Sequence, residues 1–391
     1  MHPSFVEGRI MAPEVLFPAK QGRSQLTLKR ILSYAVKLGA SDVHLKVPRP
    51  PVLRVDGTCR FAGETPLSQE DLLSFLDDLM SEQEKARFLE RGDMDLAYSL
   101  EDVGRFRVNV LKQRGTVAIV MRHVKEKIPD FRGLNLPPDA IHRIAEFRRG
   151  MILVTGTTGS GKSTSLAAII NILNQNRRDH IVSLEDPIEF VHPDILSTIT
   201  QREIGIDTHD FKTALRALMR EDPDVILIGE MRDVETFEAA IHASETGHLV
   251  FSTVHTTNVM LTVDRIVDLF PPVQHQQVRA QLSHQLKAIL SQRLVPSADG
   301  SGRVPAVEIM FNNPGISALI RENNLKQIPG ALMAGRSEHM QTFNMSLVAL
   351  IKQGLITEAD AMAASDNQEE LKMNMQGIYV STGGGGILKK G

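Results

Sequence analysis

The stretch "GTTGSGKST", residues 156 to 164, constrains this chain more than any other. It matches G-x-x-x-x-G-K-[ST] and stands between an apolar run, "GMILVTG", and a segment of helical character that begins near Ser163. A strand that enters a helix through a glycine loop turns backbone N–H groups and the positive end of the helix toward one point, which suits phosphate. The loop residues are Gly156, Thr157, Thr158, Gly159, Ser160 and Gly161, followed by Lys162, Ser163 and Thr164. Lys162 would contact the β and γ phosphates of a nucleoside triphosphate, and the Ser163 hydroxyl would ligate magnesium.

The segments that follow extend this unit. "HIVSLED", "DVILIGE" and "HLVFSTV" read as buried strands, and "FKTALRALMRE" and "ETFEAAIHASE" as helices between them. Strands alternating with helices predict an α/β core with a parallel sheet covered on both faces. With 391 residues the chain suits about two domains, and the Pro- and Gly-bearing "KEKIPDFRGLNLPPD" places a boundary near 125 to 140.

Before that boundary the pattern changes. "LTLKRILSYAVKLGA" carries Leu28, Ile31, Leu32, Ala35 and Leu38 on one helical face and stops at Gly39. "DVHLKV" and "PVLRVDG" read as short strands, and a helix is expected from Ser68 to about Leu89, opened by a Ser68/Asp71 capping box. In "GRFRVNVLKQRGTVAIVMRHV", Phe106, Val108 and Val110 alternate with Arg105, Arg107 and Asn109, a strand with one apolar and one cationic face, and residues 117 to 123 return beside it. Arg105, Arg107, Arg114 and Arg122 are either a solvated sheet face or a set that reaches a phosphate across an interface. An irregular extension is expected over residues 1–25 and a flexible Gly-rich tail over 376–391.

Composition narrows the function classes. The formal net charge is -3, so no global field draws the chain to nucleic acid or to an acidic membrane surface. Trp is absent and Tyr numbers 3, which leaves few stacking platforms for single strands. Cys59 is the one cysteine, so no internal disulfide and no Cys-rich zinc site can form, and a reducing cytosol is the expected compartment. No apolar stretch reaches the length of a membrane span.

Several acids and histidines fall where ligands bind, beyond the carboxyl ends of parallel strands. Glu185 and Asp186 end "SLED"; adjacent strand residues point opposite ways, so one of the pair would face the metal, and Asp186 before Pro187 is equally a turn residue. In "DVILIGE", Gly229 occupies the strand end where nucleotide hydrolases usually carry an aspartate, and Glu230 follows it. A glutamate there can orient an attacking water and accept its proton. His255 lies at the carboxyl end of "HLVFSTV" and His248 at its start.

Taken in order, "GTTGSGKST", "SLEDPIEFVH", "DPDVILIGEMRD" and "TGHLVFSTVHTT" resemble the Walker A, Asp box, atypical Walker B and His box of the type II/IV secretion superfamily ATPases. Within that superfamily the chain resembles the PilT-like twitching motility (pilus retraction) ATPases over roughly residues 26 to 370, with "ASDVHL", "GRFRVNVLKQRG" and "MQTFNMSL" adding to the likeness. The resemblance implies a RecA-like P-loop ATPase core with C-terminal helices over 141–375, a smaller α+β PAS-like N-terminal domain over 26–125 and a linker over 126–140. It implies a cytoplasmic homo-hexamer at the inner-membrane pilus base, using ATP and Mg2+, with an inner-membrane platform protein and a paralogous retraction ATPase as partners and no nucleic acid.

By the same resemblance Glu230 activates water, Glu185 is the Asp-box acid, His248 and His255 form the His box, and Arg107 and Arg122 reach the nucleotide from the N-terminal sheet. Assembly and secretion relatives usually carry a four-cysteine zinc motif, which this chain lacks. "ALMAG" at 331 to 335 has Met333 where retraction ATPases carry arginine, so a PilU-like accessory role stays open beside retraction. An assembly or secretion ATPase, and a nucleotide-binding regulator with little turnover, are the further alternatives.

Overall fold

The computed structural model describes residues 27–55, 57–124, 128–380 and 387–388. The extension expected over 1–25 and most of the Gly-rich tail lie outside the described residues. Two compact units divide at residues 126 and 127.

The first unit opens with helix α1 (Leu28–Lys37), N-capped by the Thr27 hydroxyl. Strands β1 (Asp42–Lys46), β2 (Val52–Val55) and β3 (Thr58–Phe61) follow. The helix predicted over 68–89 is two helices, α2 (Gln69–Leu79) and α3 (Glu82–Arg91). Each has its own capping box, Ser68 with Asp71 and Ser81 with Glu84. The second box overrides continuation, because Ser81 satisfies the N–H groups of a new helix start rather than extending the old one. Gly92, at φ 87°, ends α3 in the left-handed conformation.

Strands β4 (Asp93–Leu100), β5 (Gly104–Gln113) and β6 (Thr116–His123) complete an antiparallel sheet of order β3-β2-β1-β6-β5-β4. In β5, Phe106, Val108 and Val110 are fully buried while Arg107 is exposed, the alternation that the sequence predicts. Leu28, Ile31 and Leu32 of α1 share that core with Leu72 and Phe75 of α2.

The second unit carries α4 (Pro138–Glu146), β7 (Gly150–Thr155), α5 (Lys162–Asn176), β8 (His180–Glu185), β9 (Thr198–Glu203), α6 (Phe211–Leu218), β10 (Val225–Ile228), α7 (Val234–Glu245) and β11 (Leu249–Val254). Then come α8 (Val259–Leu269), α9 (His275–Gln285), β12 (Leu286–Pro296), β13 (Arg303–Phe311) and α10 (Pro314–Arg321). The last helices are α11 (Ile328–Ala334), α12 (Phe343–Lys352), α13 (Glu358–Ala364) and α14 (Gln368–Met375), before a short pairing of β14 (Tyr379–Val380) with β15 (Ile387–Leu388). Phe131 and Leu136, inside the stretch read as a linker, are buried in the core of this unit.

The sheet order is β13-β12-β7-β11-β10-β8-β9, parallel except for the antiparallel β12/β13 pair, so the sheet is mixed rather than purely parallel. Strands β7, β10 and β11 are buried at every position, as strands covered on both faces must be. No strand is predicted over β9, β12 or β13, and β12 shows why: Lys287, Ser291, Gln292 and Arg293 break its apolar run. The ends of β12 and β13 make a separate small core with α12 and α14 through Val295, Val304, Leu347 and Leu371.

Candidate functional site

The carboxyl ends of β7, β8, β10 and β11 surround one cavity of about 660 Å³. The 156–164 loop leads from β7 to α5 along one side of it. Gly156, Gly159 and Gly161 take φ values of 149°, 76° and 88°, all in the range that favours glycine. A Cβ at Gly156 would collide with the Gln292 carbonyl and Ser160 Oγ, so this glycine is required for space as well as conformation.

Lys162, the first residue of α5, is buried, and its Nζ donates to the carbonyls of Gly156 at 3.0 Å and Thr157 at 3.1 Å. Burial lowers its pKa, and the negative charges of Glu230 and Glu189 act against that. Ser160 Oγ is buried without a hydrogen-bond partner, an orphan donor beside the loop's backbone N–H groups. Ser163 and Thr164 line the cavity.

Behind the loop stands a residue that sequence reasoning missed. Gln292 on β12 accepts from Ser165 Oγ at 2.7 Å and donates from Nε2 to the Ser160 carbonyl at 2.8 Å. It is 3% exposed, so both bonds are made away from water and fix the loop against the sheet. No local signal marks it, because its partners stand more than 120 residues earlier.

Glu230, just past β10, presents its carboxylate to the same cavity. Its Oε1 lies 3.3 Å from His255 Nε2, and its Oε2 accepts from Arg232 Nη2 at 2.7 Å. Partial burial would raise the Glu230 pKa, but the Arg232 hydrogen bond and the charges of His255, Arg232 and Lys162 outweigh it and hold the carboxyl below its ordinary value. His255 reaches the loop as well, with Nδ1 3.5 Å from Thr158 Oγ1. Lys162, Glu230 and His255 are thus brought together.

Glu185 ends β8 and lines the cavity, but its Oε1 is engaged by Ser183 Oγ at 2.6 Å and Gln201 Nε2 at 3.1 Å. Burial raises its pKa, and those two hydrogen bonds oppose the rise. Asp186 lines the same cavity and is exposed. The two acids therefore differ in environment, one enclosed and one open.

His248 is not brought to this cavity. It precedes β11, whose 6 buried residues carry the chain about 20 Å to His255 at 3.2–3.4 Å per residue. Its Nδ1 lies 2.9 Å from the Ala243 carbonyl and 3.1 Å from Thr246 Oγ1, closing the end of α7. The two histidines stand at opposite ends of one strand, as the sequence places them, and of the two only His255 lines this cavity.

Arg107 and Arg122 belong to the first unit and face each other across the β5/β6 register. Arg122 Nε donates to Asp42 Oδ1 at 2.8 Å, while Arg107 is exposed.

Among the described residues, no group of three or more His, Cys, Asp or Glu side chains has the geometry of a metal site. No described helix is long and apolar enough to cross a membrane.

The family described as type II/IV secretion system protein matches residues 19–379. The Type IV pilus retractation ATPase PilT of Pseudomonas aeruginosa (strain PAO1) is 42% identical over 336 residues, 86% of this chain and 97% of that protein. The Type IV pilus ATPase PilU of the same organism is 38% identical over 348 residues, 89% of this chain and 91% of that protein. A crystal structure of the pilus retraction motor PilT with bound ADP superimposes with a TM-score of 0.82 at 46% identity, covering 89% of this chain and 99% of that one.

Proposed function

The chain belongs to the type II/IV secretion system protein family, and from that premise we propose that it hydrolyses ATP to drive retraction of a type IV pilus. It is an ATPase of that family, and its cavity suits a nucleotide. The observation that carries the reading is the convergence of Lys162, Glu230 and His255 on one cavity beside a glycine loop.

ATP would lie with its phosphates on the N–H groups of residues 156–164. Lys162 would leave the carbonyls of Gly156 and Thr157 for the phosphate oxygens, which are stronger acceptors because they are charged. Glu230 would hold the attacking water and take its proton. His255, between Glu230 and Thr158, is suited to register whether the γ phosphate is present.

The donor set also suits magnesium, a hard cation that takes oxygen ligands: the Ser163 hydroxyl lines the cavity with the carboxylates of Glu185, Asp186 and Glu230. Bound there, the ion would neutralise charge on the β and γ phosphates. Ser163 is the protein ligand we assign, and Glu185, held by Ser183 and Gln201, would orient water around the ion.

Assembly as a homo-hexamer at the inner-membrane base of the pilus would bring Arg107 or Arg122 of one subunit to the nucleotide of the next. Loss of the γ phosphate would then shift one subunit against another and do work on a platform protein.

Two measurements test this. Lys162→Ala should lose nucleotide binding, and Glu230→Gln should keep binding while turnover falls by about a hundredfold or more. A deletion strain should keep its surface pili and stop twitching. A strain without pili would make the chain an assembly motor instead.

A further inference from the structure

Glu230 is held from two sides, and the second holder has no role in the reading above. Arg232 donates to Glu230 Oε2 at 2.7 Å, while Oε1 faces His255. The Arg232 side chain is 71% exposed and that of Glu230 is 23% exposed, so the guanidinium reaches inward from the cavity rim to a mostly enclosed carboxylate. The backbone that carries the pair is pinned at both ends. Met231 N–H donates to the Thr253 carbonyl at 3.1 Å, and Asp233 N-caps α7 through Thr236 N–H at 2.9 Å. The freedom that remains belongs to the Arg232 side chain.

A second carboxylate is within its electrostatic reach. The charge of Asp186 acts on Arg232, and Asp186 is exposed on the same cavity wall. Arg232 therefore stands among two acids, one enclosed beside Lys162 and His255, the other open.

We propose that Arg232 is a positioning residue for hydrolysis: it holds the Glu230 carboxylate through Oε2, leaving Oε1 for the attacking water. This rests on Glu230 being the base. In the step, the water oxygen bonds to the γ phosphorus as the bond from that phosphorus to the β–γ bridging oxygen breaks, and its electron pair leaves with ADP. The water's proton goes to Glu230 and then to the departing phosphate.

Lys162 and His255 bear on Glu230 too, but Arg232 is the one of the three that grips the carboxylate through a hydrogen bond from a planar guanidinium.

The test is ATP turnover by the full chain against pH for Arg232→Ala, Arg232→Lys and Glu230→Gln. Arg232→Ala should lower kcat about tenfold or more through loss of carboxylate orientation, with KM for ATP unchanged. The acidic limb of its kcat profile should move to higher pH, because the charge that depresses Glu230 is gone. Arg232→Lys keeps the charge without the planar fork, so it should restore the position of the limb and only part of the rate.

An Arg232→Ala enzyme with wild-type kcat and limb would overturn the proposal. A raised KM at unchanged kcat would also overturn it and make Arg232 a phosphate contact. Normal turnover by Glu230→Gln would instead remove the base assignment itself, which separates the two failures.

Discussion

A Cβ built on Gly229 would lie 3.3 Å from both Glu185 Cα and the Leu184 carbonyl oxygen, which the Gly229 N–H already meets at 2.8 Å. Strand β8 comes so close to the end of β10 that a side chain at position 229 needs its backbone to give by a few tenths of an ångström. The acid of this strand therefore stands one residue later, where the chain has turned toward the cavity. Replacing Gly229 by aspartate should not supply a better metal site. It should push β8 away, lower unfolding stability by about 1–3 kcal/mol and reduce turnover by disturbing Glu185 and Glu230 together. Denaturant unfolding beside steady-state turnover would check this; a Gly229→Asp protein as stable as wild type would show that β8 yields freely.

Gln292 links the phosphate loop to β12, and its removal tests whether that support matters. Gln292→Ala would leave the Ser165 hydroxyl and the Ser160 carbonyl without partners, a cost of about 1–3 kcal/mol for each buried group left unmade. Because those bonds hold the loop and not the reacting atoms, KM for ATP should rise more than kcat falls. Nucleotide titration of the variant, followed by the thermal shift on binding, would read the difference.

What the sequence made legible follows from how local each device is. The 156–164 loop could be read directly, since its glycines, lysine and serine all act within one turn of chain. Glu230 could be read as an acid at a strand end, and the buried runs around it as a sheet. Gln292, the close approach at Gly229 and the Arg232 clasp could not, because each depends on a side chain or backbone set by a distant strand or by the rotamer of an exposed arginine. His248 and His255 could be read at opposite ends of one strand, but the contacts of His248 with Ala243 and Thr246 at the end of α7 could not. The second capping box at Ser81 was local and available, and apolar periodicity running through it concealed the break.

Asp42 separates the two arginines assigned to nucleotide contact. Burial would raise its pKa, but hydrogen bonds from Ser41 and Arg122 and the Arg122 charge hold the carboxyl below its ordinary value. Arg122→Ala removes a partner from an acid whose side chain is 8% exposed, though Ser41 at 2.8 Å and Arg54 at 3.7 Å remain. Since the Arg122 side chain is 69% exposed, a loss of about 1 kcal/mol is expected, seen as a lower unfolding midpoint. Arg107→Ala should leave the midpoint unchanged and lower turnover, because this exposed side chain has the freedom to reach a neighbouring subunit's nucleotide. Equal midpoints for the two variants would remove the distinction.

Glu308 on β13 should make stability depend on pH. It is 8% exposed, and its Oε2 accepts from the Val259 N–H at the start of α8 at 2.7 Å. Burial pushes its pKa from 4.5 up to about 7; the Val259 hydrogen bond and Arg293 pull it down, and Asp366 and Glu370 push it further up. Below pH 4.5 the carboxyl is protonated in both folded and unfolded chains, and its contribution to stability is fully present. As pH rises toward 7 the unfolded chain releases the proton first, so stability falls, by up to about 3 kcal/mol, and the loss is complete once the folded carboxyl has ionised. Glu308→Gln keeps a carbonyl acceptor for Val259 and cannot ionise, so its stability should not follow this fall. Unfolding midpoints of the two proteins should therefore lie close at pH 5 and separate by pH 8, with the glutamine variant the more stable. Curves that stayed parallel across that range would mean that Glu308 reaches water, or the Arg293 charge, more readily than its burial among β13, α8 and α14 allows.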